Sequence, residues 1–198
     1  ALALKLAQQF HIIAVAKTTG SLEELDDRIQ AIGGQATLAP LDLTDVNAVR
    51  HLCISIHERW GGLLLWAHCA IHAAPLSPAN FIDARDWEKS VKINITTTGM
   101  LIPNVAPLLG HAGIAVFLND PCAGLKFFGS YGATKSAQIA LAQSWQAETI
   151  NTGPRVCIVT PAPVPTATRA RFFPGEDSDA LSTCDIEADK IIATLGII

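Results

Sequence analysis

Tyrosine, charge and long apolar runs are what this 198-residue chain has least of. No apolar stretch approaches the ~20 residues of a membrane-spanning helix, so no membrane partner is expected. Lys and Arg number 14 against 18 Asp and Glu, a net charge of −4. No basic stripe runs through the chain, which argues against a nucleic-acid partner. Charged residues make up only 16% and hydrophobic ones 49%, a balance that excludes a disordered chain. The five cysteines (Cys53, Cys69, Cys122, Cys157 and Cys184) are odd in number, scattered and free of any CxxC pair. They describe neither a disulfide framework nor a zinc knuckle, and reduced thiols make the cytoplasm the expected compartment. No internal repeat or low-complexity tract is present. The length suits one domain with a sizeable core and is too short for two, so 1–198 reads as a single domain.

What is there is an alternation of apolar runs and helical patterns. Ala1 to Ala7 reads as a helix already under way, followed by a strand at 11–16. Ser21 is placed to cap a helix with Glu23 and Glu24 in its first turn, ending at Gly33-Gly34. A second strand at 36–40 leads through Leu41-Asp42-Leu43-Thr44-Asp45 into a helix reaching Trp60. Strands at 63–67, 114–118 and 156–159 follow, with a long helical stretch over 84–109 and a helix from Tyr131 to about Ile150. A Pro- and Thr-rich loop then precedes a last helix from Asp185. The strands are apolar throughout rather than alternating, as parallel strands buried on both faces must be. Strand–helix alternation at this spacing predicts an α/β fold, a doubly wound parallel sheet with its loops gathered at the strand carboxyl ends.

The only tyrosine stands in Tyr131-Gly132-Ala133-Thr134-Lys135. Residues i and i+4 share a helix face, so the ammonium is expected beside the phenol, lowering its pKa and fitting it for proton transfer. The spacing alone is unspecific, and a surface tyrosine near a solvated lysine is its plain alternative.

Motif and context together resemble the short-chain dehydrogenase/reductase family, almost end to end. Leu22 to Asp27, Pro75 to Pro78 and Phe173 to Asp177 are similar to a bacterial branch of it. The resemblance implies a Rossmann-like fold in which Tyr131 is the acid/base and Lys135 tunes the phenol and holds the nicotinamide ribose. Asn94, in Val91-Lys92-Ile93-Asn94-Ile95, falls on the family's relay asparagine. Asp42 resembles the aspartate that meets the adenine amino group, with a helix cap as its rival role. Thr166 resembles the threonine that contacts the nicotinamide amide, and residues 167–184 the loop that covers substrate. An acid after the strand at 11–16 would favour NAD, but Lys17 stands there and no acid appears before Glu23; NADP is the expected cofactor and NAD the lesser one. A homodimer or homotetramer is implied, built through the helices of Asn94 and Tyr131.

The chain also departs from the pattern. The family's first strand and Gly-rich turn would precede Ala1, so an N-terminally truncated member is expected, with the strands at 11 and 63 short of a ladder partner. Leu118-Asn119-Asp120-Pro121 stands where a catalytic serine belongs, and Asp120 is its expected replacement; an ionised carboxylate accepts hydrogen bonds but cannot donate one to a substrate oxygen. Cys69-Ala70-Ile71 and Pro161-Ala162 replace Gly-containing turns. His68 and His72 flank Cys69 without a metal-ligand pattern, and no metal is expected. Two functions follow: an NADP-leaning oxidoreductase acting on a small carbonyl compound or secondary alcohol, or a degenerate relative serving as a binding or scaffold protein or a non-functional remnant.

Overall fold

A computed structural model describes residues 1–197. In chain order its elements are α1 (Leu2–Leu6), β1 (Ile12–Ala16), α2 (Thr19–Ala31), β2 (Ala36–Pro40) and α3 (Val46–Trp60). Then come β3 (Leu65–His68), α4 (Ala84–Ser90), a π-helical segment (Val91–Thr96), α5 (Thr97–Leu109) and β4 (Ile114–Leu118). The chain finishes with α6 (Gly129–Glu148), β5 (Arg155–Val159), α7 (Ala167–Phe172) and α8 (Cys184–Leu195).

Every ladder is parallel. β1 pairs with β2, and β4 lies between β3 and β5. Among the described residues no bridge joins β1 to β3, so the sheet is divided where the resemblance puts a further strand. Strand β4 shows why its sequence is apolar at every position. Ala115 and Phe117 pack with Val105 and Leu109 of α5 and with Ile139, Ala142 and Trp145 of α6. Its alternate residues, Ile114 and Val116, face Ile191 and Leu195 of α8, with Leu2 of α1 beside them. Side chains alternate across a strand, so helices on both faces demand apolar residues throughout.

Several boundaries move from their expected places, for local reasons. Helix α2 begins at Thr19 with Thr18 as N-cap, so Ser21 lies inside the helix and does not cap it. Asp45 caps α3, accepting from the N–H groups of Asn47 and Ala48, and Gly61 closes that helix at φ 77. Asp42 therefore loses its rival role as the cap. Strand β3 is displaced to 65–68, and the Pro- and Thr-rich loop contains the short helix α7. The long stretch 84–109 is broken by the π segment, which a hydrogen bond from the Thr97 N–H to the Lys92 carbonyl closes. The Thr97 hydroxyl donates to the same carbonyl at 2.8 Å. One residue is thereby gained in a turn, a feature that often marks functional positions. Pro103 and Pro107 continue α5 beyond it.

Candidate functional site

The carboxyl end of β4 leads into Asn119 and Asp120, and the chain then turns through Cys122 into α6. Gly132 makes the close approach possible: a Cβ there would lie 2.8 Å from the Cys122 carbonyl oxygen. This contact seats the first turn of α6, and with it Tyr131, against the segment that carries Asp120. The Tyr131 hydroxyl donates to Asp120 Oδ2 at 2.9 Å, while Cys122 Sγ donates to Oδ1 at 2.7 Å. A ring of aromatic groups closes round the phenol. Phe172 of α7 lies 5.1 Å from it, centroid to centroid, and Phe128 lies 6.3 Å away. Ala73, Cys122 and Phe172 complete the buried cluster. Arg171 holds α7 in place by donating to the Ala73 carbonyl, and Arg169 pairs with Glu176 and stacks on Phe173.

Electrostatics differ from the expectation. Burial, then the Asp120 charge and the hydrogen bond to it, push the Tyr131 phenol well above its ordinary range. The Cys122 thiol is pushed up to about 12 by burial and by Asp120. Lys135 does share the helix face, but its Nζ donates to Gln138 Oε1 at 2.8 Å and makes no hydrogen bond to Tyr131. The expected lowering of the phenol pKa is thus reversed, first because the phenol is buried and then because a carboxylate touches the hydroxyl where the ammonium does not. Burial lowers the Lys135 pKa, with Asp120 opposing.

Asn94 lies in the π segment and is wholly buried. Its side chain grips the β3–α4 loop: Oδ1 accepts from the His72 N–H at 2.6 Å and Nδ2 donates to the His72 carbonyl at 2.9 Å. The second Nδ2 hydrogen goes to Thr134 Oγ1, also at 2.9 Å. Since Thr134 is one residue from Lys135, the π turn and α6 are joined at the site. Both hydrogens of the Asn94 amide are thus spent on the protein.

Of the other predicted residues, Lys17 and Asp42 follow the ends of β1 and β2, and Thr166 stands at the start of α7. Lys17 Nζ donates to Asp42 Oδ2 at 2.8 Å, and Asp42 Oδ1 accepts from the Thr44 N–H. Lys17, with Thr44, holds the Asp42 carboxyl well below the usual carboxylate range. Thr166 is exposed and caps α7, accepting from the Arg169 N–H. The Ala162 N–H is already engaged, donating to Glu187 Oε2 at 2.9 Å. His68 turns to Thr98 Oγ1 at 2.9 Å, while His72 Nε2 has no hydrogen-bond partner and lies 3.8 Å from Asp86. Sequence reasoning overlooked Gln138, Thr98, Phe172 and Glu187. Gln138 alone had a visible signal: it lies seven residues after Tyr131, two helical turns along the same face.

A family model described as short chain dehydrogenase matches residues 1–177. Among relatives, a fatty acyl-CoA reductase of Acinetobacter baylyi is 29% identical over 147 residues, covering 71% of this chain and 49% of that protein. The chain spans about half the length of the curated relatives it matches. A crystal structure of a short chain dehydrogenase from Salmonella enterica serovar Typhi superposes with a TM-score of 0.88 at 25% identity, covering 98% of this chain and 82% of that one. A short chain dehydrogenase from Shigella flexneri, complexed with NADP, gives a TM-score of 0.82 at 26% identity over 92% and 77% of the two chains.

Proposed function

The chain belongs to the short chain dehydrogenase family, and we propose that it is an NAD(P)-dependent oxidoreductase in which Tyr131 gives a proton to a substrate carbonyl oxygen. The observation that carries this reading is the buried phenol itself, set at the start of α6 with its hydroxyl on Asp120 and Lys135 one helical turn further along. With its pKa pushed up, the hydroxyl stays protonated at neutral pH, as a proton donor must, but the same shift makes it a weaker acid.

Lys17 would hold the 2′-phosphate, Asp42 the adenine amino group, Lys135 the ribose and Thr166 the nicotinamide amide, with NADP preferred to NAD. That NADP accompanies the Shigella protein supports the cofactor class. The bound dinucleotide supplies the hydride that goes to the carbonyl carbon. Tyr131 supplies the proton that goes to oxygen, completing a two-electron reduction to the alcohol. Lys135 lies on the same helix face and offsets the phenolate left behind. Asp120 opposes it, because a carboxylate beside a new phenolate is repulsive and gives the substrate oxygen no donor. Losing one such donor costs ~10²–10³ in rate. The substrate is read as a small carbonyl or alcohol compound, the assembly as a homodimer or homotetramer, and the compartment as the cytoplasm.

A second reading is a homologue that binds but does not turn over. It is favoured by one contact, the commitment of the Tyr131 proton to Asp120. Titrating NADP and NAD against the fluorescence of the four tryptophans, then assaying a panel of aldehydes and ketones, separates the two. Binding with turnover supports the first. Binding alone supports the second, and failure to bind either nucleotide overturns the cofactor assignment.

A further inference from the structure

Behind the tyrosine, a buried amide controls the lysine. Lys135 is 6% exposed, and among the described residues no carboxylate lies within salt-bridge distance of it. Its acceptor is Gln138 Oε1 at 2.8 Å. Gln138 is itself 1% exposed and its other end is fully occupied. Nε2 lies 3.1 Å from Thr98 Oγ1, 3.2 Å from His68 Nε2 and 3.4 Å from the Ala70 carbonyl oxygen.

Donor and acceptor chemistry leaves this amide one orientation. An ammonium has only donors, so it must meet the amide oxygen. The two hydrogens of the amide nitrogen then need acceptors, which the Thr98 hydroxyl oxygen and the Ala70 carbonyl provide, while His68 Nε2–H donates to the same Thr98 oxygen. His68 is buried against Trp66 and Phe117, an apolar setting that disfavours a second cation close to Lys135. Thr98 is fixed in turn by donating to the Asn94 carbonyl at 2.8 Å. Three buried side chains, Gln138 of α6, Thr98 of α5 and His68 of β3, thus stand in line behind one ammonium.

We propose that Gln138 is the positioning residue for Lys135, with His68 and Thr98 holding the Gln138 amide in the orientation that accepts from the ammonium. In functional terms this rests on the oxidoreductase reading, since that reading gives Lys135 its task. Its test does not. The side-chain ¹⁵Nζ resonance of Lys135 is titrated by NMR, without nucleotide or substrate, in the unaltered protein and in Gln138→Leu and Gln138→Glu.

Removing the acceptor in Gln138→Leu lowers the Lys135 pKa, and supplying a carboxylate in Gln138→Glu raises it by about 1–3 units. Opposite shifts in the two variants are what a merely space-filling Gln138 would not produce. The proposal is overturned if Lys135 titrates in either folded variant as it does in the unaltered protein. Should Gln138→Leu fail to fold, Gln138→Glu decides alone. Nucleotide binding without these shifts leaves the oxidoreductase reading intact and removes this one; the shifts without nucleotide binding do the reverse.

Discussion

Tyr131 gives its hydroxyl hydrogen to Asp120 across 2.9 Å, and Cys122 shares the same carboxylate. One acidic side chain therefore holds two acidic neighbours in their neutral forms. The site is poised to release a proton only when that release can overcome the charge of Asp120.

Replacing Asp120 tests this directly, because the chain has a single tyrosine and phenolate absorbance reports on Tyr131 alone. In the unaltered protein the phenol ionises only at strongly alkaline pH or on unfolding. Asp120→Ser lowers the midpoint by at least about one unit, the loss of one charge contact. It also raises carbonyl reduction by ~10²–10³, by restoring a donor to the substrate oxygen. An unchanged midpoint would show that burial alone sets the phenol.

Lys17 and Asp42 make the second prediction. Both side chains are more than a third exposed, so their ion pair contributes little to stability. Its consequence is for the cofactor. Lys17→Ala is expected to weaken NADP binding by about tenfold, the scale of one charge-assisted hydrogen bond, and to leave NAD unaffected. Tryptophan fluorescence titration with each nucleotide checks it, and equal losses for both would show that Lys17 does not read the 2′-phosphate.

Much of this was legible in the sequence, and the remainder fails for reasons that can be named. The five strands were readable as short, largely apolar runs between turns; Ile114–Leu118, the most deeply buried, fits its helices on both sides. Tyr131 and Lys135 announced themselves by spacing. Their electrostatics did not, because Asp120 reaches Tyr131 only through the turn that Gly132 permits, and the ten intervening residues carry no periodicity that reveals it. Asn94 was found as a position; its grip on the His72 backbone depends on a π turn that leaves no pattern in the sequence. His68 was weighed only as a metal ligand because its partners, Thr98 and Gln138, are 30 and 70 residues away.

Glu187 makes the third prediction. Its carboxylate accepts from the Ala162 N–H, the Ser182 hydroxyl and the Lys190 ammonium, so it ties both ends of the segment that carries α7. These contacts lower its pKa to about 2. In Glu187→Gln, amide exchange at Ala162 and through α7 accelerates while β4 keeps its protection. Hydrogen exchange read by mass spectrometry decides the matter, and unchanged exchange over residues 162–183 would show that the segment is held by Arg171 and the aromatic cluster instead.

Acid should weaken the fold from the inside, at His68. Burial, then Lys135, depresses its folded pKa from 6.5 to about 4. Between those values the unfolded chain binds a proton that the folded chain refuses, so stability rises with pH across the window. The contribution is complete above pH 6.5 and is lost as pH falls toward 4, amounting to roughly 3 kcal/mol for a shift of this size. Asp42 and Glu187, with folded pKa values held below the usual carboxylate range, act mainly below that window. Denaturant midpoints taken from pH 7.5 down to 4.5 should therefore fall, and should fall much less in His68→Gln, which keeps a polar partner for Thr98 without the titration. Equal slopes in the two proteins would mean that the imidazole accepts its proton in the folded state and that the network behind Lys135 tolerates a second cation.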